Sequence, residues 1–170
     1  ELSEGIVAIT LNRPESLNAL SPALFSELNQ IVTELSKQTD SVGCVILRGA
    51  GRCFSAGNDL KAVRSGVKSK EKFFQAKTID LVEKLPQPTI ASVHGHCLTG
   101  ALELALACDL MITSESANLA DTHGKWGMVP GWGMSVRLPR RVGLLKAKEM
   151  MFTGMSVSYT HLTLPTKQDV

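Results

Sequence analysis

The residues able to do chemistry fall in two short stretches, each of which carries a carboxylate. The first stretch is Phe54-Ser55-Ala56-Gly57-Asn58-Asp59-Leu60, and the second runs from Ile90 to Leu104 as IASVHGHCLTGALEL. Each reads as a strand, a turn of small residues and then a helix start. Such turns leave backbone N–H groups unpaired and directed outward, which suits an anion or an oxyanion forming on a carbonyl. Two of them converging would give one carbonyl oxygen two donors. Small residues after strands also serve tight packing alone, so neither loop declares its purpose by itself. Glu103 sharpens the pattern. It lies one turn past Gly100 on the same helix face, among Leu102, Leu104, Ala105, Leu106 and Ala107. A carboxylate in that setting is costly unless it is paired or used, and desolvation raises its pKa. A buried salt bridge, or an acid at an exposed edge, is the competing reading.

Other chemistries that such loops serve are excluded by their own signatures. Gly95 and Gly100 have the spacing of a phosphate-binding loop, but Ala-Leu follows where Lys-Ser/Thr is required. The dinucleotide fingerprint G-x-G-x-x-G and the nucleophile elbow G-x-S-x-G are both absent. His94 and His96 alternate across a strand end, and the chain has four histidines in all. A zinc site would need more ligands than these supply, so packed or surface histidines are expected and no metal is assigned.

The elements that must position these residues follow from hydrophobic period and punctuation. Ile6 to Leu11 reads as a strand closed by Asn12-Arg13-Pro14. Ser21-Pro22 starts a helix, the hydroxyl as cap and proline in the first turn. Leu24, Leu28, Ile31, Val32 and Leu35 carry it at helical spacing to Lys37. Val42 to Leu47 is a buried strand, with Arg48 to Arg52 as a glycine-rich turn. Residues 70–85 form an amphipathic helix on Phe73, Phe74, Ala76, Ile79, Leu81 and Val82, stopped by Pro86 and Pro88. Thr89 to Val93 is a strand, Gly100 to Cys108 a helix and Leu110 to Thr113 a third buried strand. Strands alternating with helices make the class α/β. No repeat, low-complexity segment or linker interrupts residues 1–155. From Ser156 the chain reads SVSYTHLTLPTKQDV, without helical period, and residues 156–170 are expected to be a disordered or foreign tail with an edge strand as the alternative.

Composition bounds the rest. The chain has 170 residues, 44% hydrophobic and 20% charged, the profile of one soluble domain able to bury a core. Eighteen basic and sixteen acidic residues give a formal charge of +2 with no basic tail or stripe, so neither nucleic acid nor a membrane surface is an expected partner. Apolar runs are too short to span a bilayer. Glu1-Leu2-Ser3-Glu4 shows no signal peptide. Cys44, Cys53, Cys97 and Cys108 lie far apart without a C-x-x-C pair, which fits reduced thiols and a cytoplasmic setting.

In this order and context the two stretches resemble the enoyl-CoA hydratase/isomerase (crotonase) family. The likeness begins at Arg13-Pro14 with Asn18-Ala19-Leu20. It continues through Phe54–Leu60, Pro88–Asp109, Trp126-Gly127, Pro130-Gly131 and Gly143. It covers roughly residues 5 to 154, and four motifs in register are far more specific than any one. The resemblance implies a spiral of repeated ββα units and a substrate carried as a coenzyme A thioester, with no further cofactor. It places an oxyanion hole on the backbone N–H groups of Asn58 and Gly100, and Ala56, Asp59 and Leu60 along the acyl-CoA channel. Glu103 takes the place of the first of two catalytic glutamates. The full-length form would be a homotrimer or a dimer of trimers.

The sequence also departs from that family. The second glutamate is due twenty residues after the first, where this chain has His123 in Ala120-Asp121-Thr122-His123-Gly124. An imidazole also relays protons near neutral pH. Thr99 and Ala101 stand where glycines are common, and Trp126 and Trp132 are expected as pocket walls or core. The helices that usually follow are absent, so apolar surface should be left open. The expected reaction is hydration of a 2-trans-enoyl-CoA to a 3-hydroxyacyl-CoA through an enolate, with Glu103 taking a proton from water and His123 supplying one. Isomerisation, C–C bond hydrolysis with His123 paired to Asp121, and a silent acyl-CoA-binding protein are the alternatives.

Overall fold

The structure, a computed structural model, describes residues 4–66 and 71–158. In chain order its strands and helices are β1 (Ile6–Leu11), α1 (Pro22–Leu35), β2 (Cys44–Gly49), α2 (Leu60–Arg64), α3 (Phe74–Glu83), β3 (Thr89–Val93), β4 (His96–Leu98) and α4 (Gly100–Leu106). They continue with β5 (Leu110–Thr113), β6 (Asn118–Ala120), α5 (Met134–Val142), α6 (Leu144–Thr153) and β7 (Ser156–Val157). The main sheet is all parallel in the order β1-β2-β3-β5, with Ile6 opposite Cys44, Val45 opposite Thr89 and Ile90 opposite Leu110. Parallel neighbours need crossovers, which α1, the α2–α3 segment and α4 provide. A second, smaller sheet sets β4 parallel to β6 and β7 antiparallel to β6.

Between the sheets lies α4, with every residue from Gly100 to Leu106 buried. That is why its sequence is apolar on every face apart from Glu103: no face meets water. α1 presents Phe25, Leu28, Val32 and Leu35 to the core behind its Ser21 cap, whose side chain accepts from Leu24 N. Ile31 lies off that stripe, 42% exposed.

Several boundaries differ from the sequence expectation for visible reasons. β2 begins two residues later than Val42 because Gly43 N donates instead to Gly5 O, in the turn before β1. It runs on through Gly49, where any side chain would collide with the backbone of Cys53 and Phe54. α3 starts at Phe74, not at residue 70, which lies outside the described residues. Phe73 takes a left-handed φ of 62° and stands exposed. α1 stops at Leu35 and α4 at Leu106, each closing in a tight turn. α2 supplies the helix start expected after Asp59, whereas β4, β6, α5 and α6 have no counterpart in the sequence reading.

At the C-terminal end Gly154, with φ 60°, closes α6. Ser156 and Val157 then pair with Ala120 and Leu119. Val157 is buried, so the fold runs past the boundary expected at 155 and the tail begins as an edge strand. Residues 159–170 lie outside the described residues. Of the two tryptophans expected as pocket walls or core, Trp126 is 64% exposed and so not core, whereas Trp132 packs edge-on against Phe25 at 5.0 Å between ring centres. Trp126, Val129, Leu145 and Phe152 leave apolar side chains open to solvent. Among the described residues no helix is long and apolar enough to cross a membrane.

Candidate active site

Two loops meet at the top of the main sheet. Ser55 and Cys97 form an isolated parallel bridge: Ser55 N donates to His96 O at 2.9 Å, and Leu98 N to Ser55 O at 3.2 Å. Gly57, at φ 95°, passes so close to the second loop that a methyl group there would sit 2.7 Å from Leu98 O. The residues just beyond this contact are Asn58 and Gly100. Among the described residues neither backbone N–H donates to another protein group. Asn58 is exposed and Gly100 buried. A side chain at Gly100 would run into the Trp132 ring.

Each loop is braced from outside. Asn18, fully buried, donates from Nδ2 to Ala50 O and Cys53 O at 2.8 Å each and accepts from Arg13 N at 2.8 Å. Ser55 Oγ donates to Asn18 O and accepts from Gly57 N. On the other loop Thr99 has φ 55° and ψ −114°, a region few side chains occupy. Its N–H donates to Ala120 O at 2.7 Å, and its hydroxyl lies 2.5 Å from that of Thr122. Thr99 O accepts from Glu103 N at 3.1 Å, which holds the peptide that carries the Gly100 N–H.

The structure brings Glu103 and His123 together. Glu103 points back from the first turn of α4 and is 1% exposed. Its Oε1 accepts from Trp132 N at 2.7 Å and Met134 N at 3.1 Å. Its Oε2 lies 3.8 Å from His123 Nε2. Burial pushes the Glu103 carboxyl above the ordinary carboxylate range, against the pull of those two N–H groups and of His123. His123 opens the 3-10 turn His123–Trp126, with Nδ1 2.5 Å from Asp121 Oδ1. The salt-bridge alternative for Glu103 therefore has one candidate partner within 4 Å among the described residues, the imidazole; no lysine or arginine pairs with it.

The other expected residues serve mixed purposes. Ala56 donates its N–H to Leu17 O and is half-buried. Asp59 caps α2, its Oδ1 accepting from Lys61 N and Ala62 N, while Oδ2 pairs with Arg13 at 2.9 Å. The hydrogen bond from Arg13 holds the Asp59 carboxyl below its ordinary range. Leu60, at the start of α2, turns outward. His94 and His96 do not form a ligand pair: His94 Nε2 lies 2.8 Å from Gly51 O, and His96 is exposed. All four cysteines are free thiols.

Two functional supports escaped the sequence reading. Asn18 was noted only as part of a turn. Arg137 was not singled out at all, yet it is buried and donates to Trp132 O at 2.7 Å, to Asp80 at 2.7 Å and to Glu83 at 2.6 Å. It thereby fixes the turn whose N–H groups hold Glu103. Gly133, at φ 109°, leaves the space that the guanidinium fills.

With this geometry established, comparison with known proteins is direct. Residues 1–162 match the enoyl-CoA hydratase/isomerase family. A putative enoyl-CoA hydratase/isomerase of Bacillus subtilis is 42% identical over 163 residues, covering 92% of this chain and 61% of the relative. A probable peroxisomal enoyl-CoA hydratase of Arabidopsis thaliana is 38% identical over 156 residues, covering 92% and 58%. The crystal structure of an enoyl-CoA hydratase from Bacillus anthracis superposes with a TM-score of 0.85 at 40% identity, covering 94% of this chain and 63% of that one. The chain thus spans about three fifths of the length of the curated relatives it matches. Matching motifs, the crotonase fold and near end-to-end coverage of this chain agree: it belongs to the enoyl-CoA hydratase/isomerase family.

Proposed function

We propose that the protein hydrates a 2-trans-enoyl-CoA to a 3-hydroxyacyl-CoA. The observation that carries this reading is the buried Glu103–His123 pair, one helical turn beyond an unpaired Gly100 N–H. The thioester oxygen would sit on the Asn58 and Gly100 N–H groups as it gains charge, each such donor being worth roughly 3 kcal/mol of barrier. Water adds its oxygen to the β-carbon while Glu103 Oε2 takes the departing proton. The electron pair of the double bond moves into the thioester enolate. His123 Nε2 returns a proton to the α-carbon, and the enolate collapses to the thioester. The pair then resets when the proton on Glu103 passes back to His123. Positioned acid–base groups of this kind contribute about 10²–10⁴-fold.

No metal or redox cofactor is assigned a role; coenzyme A is the handle of the substrate. Reduced thiols and the bacterial relatives favour the cytoplasm, and a trimeric assembly is the expectation for the longer form. The Asp121–His123 contact favours a second reading, in which the same hole serves isomerisation or C–C bond hydrolysis. An acyl-CoA-binding protein without turnover is the third.

The test is loss of the conjugated enoyl-thioester absorbance with crotonyl-CoA, on the parent protein and on Glu103→Gln. Turnover by the parent alone supports hydration. Equal turnover by both removes Glu103 from the mechanism. Silence in a folded parent that binds the thioester refutes hydration of this substrate and favours the second or third reading.

A further inference from the structure

Asp121 stands directly behind His123 and is 1% exposed. Its Oδ1 accepts from His123 N at 3.1 Å and faces Nδ1 of the same residue at 2.5 Å. Its Oδ2 is buried without a hydrogen-bond partner, and no lysine or arginine pairs with it among the described residues. An ionised carboxylate has only acceptors, so the ring nitrogen facing it must be the donor. A carboxylate serving only to cap the turn would need the backbone N–H alone. Here the same oxygen takes the imidazole as well, and the opposite ring nitrogen is left directed at Glu103 Oε2, 3.8 Å away.

We infer that Asp121 is a positioning residue: by accepting the Nδ1 proton it fixes neutral His123 in the tautomer whose Nε2 is bare and faces Glu103. Resting on the reading of Glu103 and His123 as the proton carriers, this means that the pair shares one exchangeable proton across the 3.8 Å gap. In the hydration step Glu103 takes one proton from water and His123 Nε2 gives one to the α-carbon. After it, Glu103 holds the proton taken from water and His123 Nε2 is bare, so return of that proton across the gap completes the cycle with nothing gained or lost. In the other tautomer Nε2 would keep its proton in the neutral ring, and the return path would be closed. Orientation through Nδ1 is how second partners commonly set the working nitrogen of a histidine.

The test separates this inference from the hydratase reading because its first readout needs no substrate. In the full chain labelled with 15N-histidine, long-range 1H–15N spectra of neutral His123, assigned by the loss of its signals in His123→Gln, are expected to show Nδ1 protonated and Nε2 bare. Asp121→Asn is expected to give a mixed or reversed pattern, since the amide can donate to Nδ1. With crotonyl-CoA the same variant should lose at least about 100-fold in kcat, with KM within about threefold. A parent spectrum with the proton on Nε2, or averaged as in free imidazole, overturns the inference whether or not the protein turns over substrate. An Asp121→Asn variant with parental kcat also overturns it. If that variant does not fold, the parent spectrum still decides.

Discussion

Exchanging Glu103 for glutamine removes a charge while keeping nearly the same volume, and the structure sets two opposing effects on stability. Oε1 accepts from Trp132 N at 2.7 Å and Met134 N at 3.1 Å, and a glutamine oxygen keeps both bonds. They weaken from about 1.5–3 kcal/mol each, typical of bonds to a charged group, to about 0.5–1.5 kcal/mol. For two bonds the loss is on the order of 2–3 kcal/mol. Against it stands the cost of holding an ionised carboxylate at 1% exposure, which is several kcal/mol for a buried ion. Burial is the largest influence on this group, so relief should win. The pH dependence follows from the raised folded pKa. The folded parent binds the proton more tightly than the unfolded chain, so its stability is greatest on the acid side. It falls as pH rises from the ordinary value of 4.5 through the raised one. Glu103→Gln lacks that fall. Urea denaturation at about pH 5 and about pH 8 should therefore show the variant gaining on the parent with pH, and at least equal to it at the higher value. Its crotonyl-CoA turnover should drop by about 10²–10⁴-fold. A variant less stable than the parent by more than about 1 kcal/mol at the higher pH, or with a deficit that does not change with pH, would refute the reasoning. The two N–H bonds, not desolvation, would then dominate.

Three further outcomes are expected. Gly100→Ala drives a methyl group into the Trp132 ring, itself packed on Phe25. Urea unfolding should show a loss of about 1–3 kcal/mol, with turnover falling as the Gly100 N–H shifts; unchanged stability would mean that the ring moves freely. Asn18→Ala strands the carbonyls of Ala50 and Cys53 and the N–H of Arg13. It should cost at least about 2–4 kcal/mol in the same assay, and a loss under about 1 kcal/mol would show that water replaces the side chain. Asp59→Asn removes a carboxylate held low by Arg13. A lowered folded pKa stabilises above the ordinary value of 3.8 and is lost as pH falls through the lowered one, so the variant should trail the parent near neutrality. The two should converge in acid, and a gap that persists there would assign the effect to packing.

What the sequence disclosed depended on how local the signal was. Glu103 was legible because a carboxylate amid six residues of leucine and alanine has few reasons to exist. The main sheet strands and α1 were legible by period and cap. β4 and β6 were not, since three residues carry no alternation and their pairing partners lie more than twenty residues apart. Asn18 escaped because its work is done on Ala50 and Cys53, 32 and 35 positions away. Arg137 sits in Arg137-Leu138-Pro139-Arg140-Arg141, which reads as an exposed basic run broken by proline. In the structure one of those three arginines turns inward, and nothing local marks which.

That arginine shows where the geometry of the site originates. The α4 backbone places Glu103 but does not orient its carboxylate. Orientation comes from the peptides of Trp132 and Met134, and the first of these is held at its carbonyl by Arg137. The guanidinium answers in turn to Asp80 and Glu83 on α3, and among the described residues its Nε has no hydrogen-bond partner, so the two terminal nitrogens carry the link. Asp80 and Glu83 are about half exposed. The outer end of the chain of contacts is thus wet and weak, whereas its inner end is buried at Glu103. A disturbance of α3 would reach the carboxylate through these bonds without touching α4. Precision at the candidate active site is therefore a property of the tertiary link that Arg137 makes between α5 and α3, and local helix propensity around Gly100 has little say in it.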